Sequence, residues 1–304
     1  MTMVDFLLNR YLNKSILYMK YMNNNNEIFY WSNLCNDMWK KVEDHWIKRK
    51  GQDHYYRRKI VIPALIDFLQ SYQPKIRTIL DLGCGDGYTT HHLLEELNRI
   101  SINIDSICLI EKSYLQLKKA LTRSTLYSAL FLQEDLLKNK WISENINCQS
   151  PKLYLSSFVF QEIPSLKLLF MYLSEVMNQF DLLLSIIPAP SYSEKIVSNS
   201  SRIYQTSNYN TILDWEWFGE YPVPINSKVI YLPHFQRNLS SIESSLNDNG
   251  LYLYSVKYLS IPSSKDAYNI FKSTIYGSDI IGIPSSLLLC IKKKEIKNYE
   301  EKDP

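Results

Sequence analysis

From residue 78 onward the apolar positions fall into short solid runs, separated by stretches in which they recur at helical spacing. Runs at 78–82, 106–112, 129–133, 152–160 and 181–187 read as buried strands. The intervening segments that begin near Tyr88, at Tyr114 and at Ser165 read as helices. Ser165 is placed as an N-cap, followed by the stripe Leu166, Leu169, Phe170, Leu173 and Val176. Asn238 is placed as the N-cap of a further helix to Asn247, and Gly250 ends that segment. Strands at 251–259 and 286–292 follow without a long amphipathic stretch between them. Strand-helix alternation of this kind predicts a mostly parallel sheet.

Two regions break the rhythm. Residues 1–74 carry helical spacing only and predict an N-terminal helical cap. In 6–22 the apolar face (Phe6, Leu7, Tyr11, Leu12, Ile16, Leu17) is interleaved with Arg10, Lys14 and Lys20. Packing on its own domain or in a homodimer suits this segment better than a membrane-surface helix. Asn23–Asn26 predicts a loop. A second helix over 30–50 carries Trp31, Trp39 and Trp46 and is ended by Gly51. A third, over 55–72, is interrupted or turned at Pro63. The other irregular region, 189–237, predicts a long loop rich in aromatics (Tyr192, Tyr204, Tyr209, Trp215, Trp217, Phe218, Tyr221), which suits a lid better than a disordered segment. The domains are therefore 1–74 and 75–304, with 189–237 as an insertion in the second.

Composition narrows the classes. The chain has 304 residues, 45% hydrophobic and 21% charged, with a net charge of +3. That balance argues against an extended nucleic-acid surface. Five scattered cysteines without a C-x-x-C pair argue against a zinc site or a disulfide framework, so no metal is expected, and a reducing, cytoplasmic setting is. The opening residues lack the layout of a signal peptide, and no apolar run reaches bilayer length.

The sharpest signal is at 77–97. Gly83, Gly85 and Gly87 alternate directly after the first strand, three of only 8 glycines in the chain. Glycine lets a ligand approach the backbone, and the following helix aims free N–H groups at the turn. The spacing is G-x-G-x-G, so the dinucleotide fingerprint G-x-G-x-x-G fails, and the Gly-Lys-Ser/Thr ending of a P-loop is absent. Asp81 followed by Gly83, Gly85 and Gly87 resembles the first motif of the class I S-adenosylmethionine-dependent methyltransferases. The resemblance extends over about residues 76–293.

What this resemblance implies is a doubly wound, seven-stranded, mostly parallel α/β sheet of Rossmann-like type, with strands 6 and 7 as a reversed final pair. It also implies S-adenosylmethionine as cofactor. Asp81, Gly83, Cys84, Gly85 and Gly87 would form the first part of its site. Glu111 at the end of strand 2 would accept hydrogen bonds from the ribose diol, with Lys112 beside it. Asp135, preferred over Glu134, would receive the adenine amino group, and Leu136 would pack on the base. The acid usual at the start of strand 4 is missing, since Pro151-Lys152 stand there. At the other end of that strand Ser156 would face the cofactor, and Gln161 and Glu162 would touch the acceptor. Tyr55 and Arg58 would reach over from the preceding helix to the cofactor's carboxylate. Leu232-Pro-His-Phe-Gln-Arg237 resembles an entry segment of small-molecule members, shifted in register at His234. This makes His234 a candidate general base and Arg237 a residue that steadies the lid or binds an acidic group.

The expected activity is methyl transfer to a small-molecule acceptor, with no nucleic acid, no membrane and at most a homodimer as partners. Methylation of RNA or protein, and a non-catalytic S-adenosylmethionine-binding subunit, are the alternatives. In such a reaction the protein supplies alignment and exclusion of water more than chemistry of its own.

Overall fold

The computed structural model describes residues 24–47, 52–72, 75–123, 129–138, 140–141, 151–190, 202–206, 214–225, 228–271 and 281–295. The expected helix at 6–22, together with Cys148, Tyr192 and Tyr209, lies outside the described residues. In chain order the strands are β1 (Thr78–Leu82), β2 (Ser106–Ile110), β3 (Ala129–Leu132), β4 (Lys152–Ser157), β5 (Leu182–Pro188), β6 (Arg202–Thr206), β7 (Trp217–Ile225), β8 (Lys228–Gln236), β9 (Leu251–Ser260) and β10 (Pro284–Lys293).

Seven of them form one sheet in the order β3-β2-β1-β4-β5-β10-β9. Strands β1 to β5 pair in parallel, while β10 runs antiparallel to both β5 and β9. This is the expected doubly wound sheet with its reversed last pair. Every position of β1 and β4 is buried, as central strands covered on both faces require. The crossover helices are α4 (Tyr88–Arg99), α5 (Tyr114–Arg123) and α6 (Leu166–Val176). In α6 the Ser165 side chain accepts from Leu168 N at 3.2 Å, the expected cap. Asn238 caps α7 (Leu239–Asn247) in the same way, through Ser241 N at 2.8 Å. A short helix, α8 (Lys265–Phe271), lies between β9 and β10.

The N-terminal helices divide differently from the expectation. The first described helix, α1 (Asn24–Ile47), begins inside the asparagine run that composition assigned to a loop. Asparagine suits a helix start, and burial of Ile28, Trp31, Cys35, Met38 and Val42 at alternating spacings of three and four holds the helix. Next, α2 (Gln52–Tyr56), a π-turn (Arg57–Val61) and α3 (Ile62–Tyr72) run on without a break. Pro63 therefore neither ends nor interrupts the helix. Its ring would clash with the carbonyl four residues back, and the wider π-turn just before it, closed by Ile62 N–H to Arg57 O, accommodates it. This segment packs on the main core through Val61, Leu65 and Leu69, and is not part of a separate cap.

The described parts of the insertion are not a loop. They form an antiparallel sheet, β6-β7-β8. The face of α1 packs against it, so that Trp31, Trp215, Phe218 and Phe235 make a second small core. Trp31 lies 4.8 Å from Phe218 and 5.6 Å from Trp215, centroid to centroid. Two segments far apart in sequence thus build one cap, at the end of the large sheet where β1, β2 and β4 terminate.

Candidate active site

A cavity of about 740 Å³ opens at those carboxyl ends, between the sheet and the cap. Of the residues expected at a site, Asp81, Gly83, Cys84, Gly85, Glu111, Lys112, Asp135, Leu136, Glu162 and His234 line it. Gly87, Ser156, Tyr55 and Arg58 do not.

The glycine turn and Glu111 are one hydrogen-bonded unit. Gly83 N and Cys84 N donate to Ile110 O at 2.8 and 3.0 Å, which tethers the turn to the end of β2. Glu111 then accepts from Gly85 N at 2.9 Å through Oε2 and from Ser113 N at 2.8 Å through Oε1. Burial pushes its carboxyl up, and the Ser113, Gly85 and Lys112 amides pull it part of the way back. Each carboxylate oxygen keeps a further lone pair for a ligand. A Cβ on Gly85 would meet nothing within 4 Å, so the turn presents bare backbone to the cavity. Gly87 has another task. A Cβ there would lie 3.0 Å from Ala120 Cβ and 3.1 Å from its Cα, so this glycine lets the turn pack on α5 and touches no ligand space.

Asp81, the penultimate residue of β1, is fully buried. Thr90 donates to its Oδ2, while Oδ1 has no hydrogen-bond partner. Desolvation raises its pKa to about 7, against the opposing Thr90 bond and the nearby Arg57 guanidinium; the Glu111 charge adds to the rise. An orphaned acceptor on a cavity wall is an unmet demand for a donor.

The cation close to it is Arg57, not Arg58. Arg57 sits in the π-turn and donates to Thr89 Oγ1 at 2.5 Å and Ser157 Oγ at 3.0 Å. Arg58 is exposed, and Tyr55 points away onto Phe271 with centroids 6.0 Å apart. Tyr56 lines the cavity instead and hydrogen-bonds Ser285 Oγ at 2.8 Å. The cavity is thus lined by the neighbours of the two expected residues. The expected Ser156 is likewise replaced by its neighbour. Alternation along β4 turns Ser156 into the sheet interior, with its Oγ unpartnered, and turns Ser157 to the cavity.

Asp135 is held by Lys112 at 2.7 Å and by Leu137 N at 3.0 Å. Ser32 of α1 bonds both members, receiving from Lys112 at 3.3 Å and donating to Asp135 at 3.5 Å. Glu162, in the single 3₁₀ turn (Phe160–Glu162) after β4, accepts from Trp39 Nε1 at 2.8 Å. Burial pushes its carboxyl well above the usual carboxylate range. The cap therefore meets the sheet at two of the expected ligand positions. Trp39, Ser32, Arg57 and Thr89 went unrecognised in the sequence; the tryptophan spacing in α1 was the one available signal for Trp39.

His234 lies on β8 and is buried. Its Nε2 is 2.9 Å from Gln236 Oε1. Gln236 gives its amide nitrogen to Arg237 O at 3.3 Å, so its oxygen faces the ring and Nε2 carries the proton. Desolvation lowers the imidazole pKa to about 4. Arg237 steadies the cap and is not placed for an acidic ligand. It pairs with Asp214 at 2.7 Å and donates to the carbonyls of Phe160 at 3.1 Å and Ile163 at 2.6 Å.

No family model matches the sequence, and no curated protein does. Solved structures do match by shape. An S-adenosylmethionine-dependent methyltransferase from Methanosarcina mazei is 12% identical, over 75% of this chain and 98% of that one, with a TM-score of 0.52. Two others, from Clostridium acetobutylicum and Mesorhizobium loti, are 12% and 13% identical, over 86% and 75% of this chain and 100% and 96% of theirs, with TM-scores of 0.48 and 0.46. Strand order, the antiparallel β10 and the glycine turn after β1 together establish that the chain has the class I S-adenosylmethionine-dependent methyltransferase fold.

Proposed function

We propose that the protein transfers a methyl group from S-adenosylmethionine to a small-molecule acceptor enclosed under the cap. The observation that carries this reading is the convergence on one cavity of the bare glycine turn, the doubly anchored Glu111 and the unpartnered Oδ1 of Asp81. These groups suit a ligand bearing a ribose diol and an ammonium. Glu111 would take the diol, Asp81 the ammonium and Arg57 the carboxylate. Asp135 and Leu136 would hold the base. When bound, the cofactor supplies a methyl group already activated on a sulfonium. The residues of this chain then position the acceptor against it and exclude water. The acceptor side is the wall of Trp39, Gln161, Glu162, Leu232 and His234. A roofed cavity of about 740 Å³ is in the size range of small-molecule sites.

The test is calorimetric titration with S-adenosylmethionine and S-adenosylhomocysteine, for the wild type and Glu111→Ala. Micromolar binding is expected, weakened at least about tenfold in the variant, because a charge-assisted pair of hydrogen bonds is lost. A folded wild type that binds neither compound refutes the reading. Methyl incorporation into bulk RNA or protein, with none into small molecules, would move the acceptor to another class. Binding without turnover of any acceptor would make the chain a cofactor-binding subunit.

A further inference from the structure

We propose, building on the methyltransferase reading, that the acceptor atom is a basic amine nitrogen and that Glu162 both holds it and takes its proton. Most hydrogen-bonding groups of the acceptor wall are already paired within the protein. Trp39 Nε1 is already given to Glu162. The Gln161 amide nitrogen is given to Phe158 O at 2.6 Å, which leaves its Oε1 buried and without a partner. The proton on His234 Nε2 is given to Gln236. What remains toward a ligand is the Glu162 carboxyl, with the Gln161 oxygen beside it. The Gln161 oxygen only accepts, and Glu162 in its ionised form does the same, so a donor that carries positive charge suits the wall.

The cations around the cavity are committed elsewhere. Lys112 pairs with Asp135, and Arg57 is bound to Thr89 and Ser157 on the cofactor side. Lys40 is 76% exposed and lies 3.9 Å from Asp37. Arg237 is closed into the pair with Asp214. A carboxylate or phosphate acceptor would meet Glu162 with only the more distant charge of Arg57, held on the cofactor side, to offset the repulsion, whereas an ammonium would be drawn in.

Nitrogen is favoured over a hydroxyl by what the base must do. An aliphatic hydroxyl must lose its proton during transfer to a base stronger than a carboxylate, and burial leaves His234 a weak base. An amine needs only its lone pair freed. On entry the charge of an ammonium draws Glu162 into its ionised form, against the burial that otherwise keeps it protonated, and one N–H proton then moves to that carboxylate. Burial of Glu162 favours its protonated form and so assists this move. The freed lone pair forms the N–C bond as the C–S bond breaks, and the electron pair of that bond leaves on sulfur. Positive charge passes from sulfur to nitrogen, and Glu162 returns its proton to solvent when the product leaves.

The experiment uses the full chain saturated with S-adenosylhomocysteine, titrated first by itself. Three apolar bodies (phenethyl, indolylethyl and cyclohexylethyl) are then offered as matched amines, alcohols and carboxylates. The amines are expected to bind at least about tenfold more tightly than their partners, the margin of one charge-assisted hydrogen bond. Glu162→Gln should abolish that margin while keeping S-adenosylhomocysteine affinity, which also shows that the variant folds. Gln161→Leu should narrow the margin. Amines that bind no better than alcohols or carboxylates, or a margin that survives Glu162→Gln, overturn the inference. Failure of S-adenosylhomocysteine to bind would instead overturn the methyltransferase reading beneath it.

Discussion

Arg237→Met is the most demanding test of how the cap is attached. The Arg237 side chain is 3% exposed and that of Asp214 is 8%. Breaking a buried pair by removing one member costs about 3–5 kcal/mol, because the other charge stays buried. Asp214 keeps two donors, Lys167 N at 3.0 Å and Ser245 Oγ at 3.2 Å, which lowers the cost. The carbonyls of Phe160 and Ile163 lose charged donors, at about 1–3 kcal/mol for each acceptor left unsatisfied. The effects share one network and do not add, so a net loss of about 3–5 kcal/mol is expected. Against a total stability of about 5–15 kcal/mol this is a large fraction. Urea unfolding followed by circular dichroism measures it. Arg237→Met/Asp214→Asn removes the stranded charge but keeps an acceptor for Lys167 N, so the double variant should be more stable than the single one. A single-variant loss under about 1 kcal/mol, or a double variant no better than the single, would refute the network account.

The two glycines at 85 and 87 should separate binding from folding. Both have positive φ, at 57° and 72°, so alanine costs about 1–2 kcal/mol in backbone strain at either. Gly87→Ala must also displace Ala120 and should unfold in less urea, while Gly85→Ala should chiefly weaken S-adenosylhomocysteine binding, read by calorimetry. Asp81 sets a pH dependence. Its folded pKa of about 7 lies above the unfolded value of 3.8, so the native state holds the extra proton and stability falls as pH rises from about 4 to 7. Asp81→Asn should remove that slope in urea midpoints taken across the range. In the wild type, S-adenosylmethionine affinity should rise as Asp81 ionises through pH 7, and a flat profile would count against an ammonium partner. Trp31→Ala empties the centre of the cap core and should cost about 3–5 kcal/mol, with faster proteolysis within α1 as a second readout.

The large sheet was legible because its determinants are local. Solid apolar runs mark β1, β4 and β5, and Ser165 and Asn238 announce their helices in the residues themselves. Asp81 and Glu111 were legible because each lies at the carboxyl end of a strand that must be central, Asp81 just inside β1 and Glu111 just after β2. The failures lie where phase or partner is set from outside the segment. Tyr55 and Arg58 were named from the resemblance, which places the preceding helix over the cofactor without saying which of its side chains face it, and in the structure Tyr56 and Arg57 line the cavity. Ser156 against Ser157 is a choice of face along β4 that apolar runs do not encode, since both faces of that strand are buried. The 189–237 insertion looked like a loop because the apolar partner of its aromatics is α1, more than 150 residues earlier in the chain.

A sheet as small as β6-β7-β8 buries little by itself, and α1 alone has no partner for its tryptophan face. Each is stabilised by the other, through the core around Trp31. The joined unit then meets the sheet through Arg237 on one side and through Trp39 and Ser32 on the other. The first attachment is closed and fully paired. The second is made to Glu162, Lys112 and Asp135, which are the groups a bound cofactor and acceptor would engage. The contacts that hold this side of the cap thus belong to the proposed site as well.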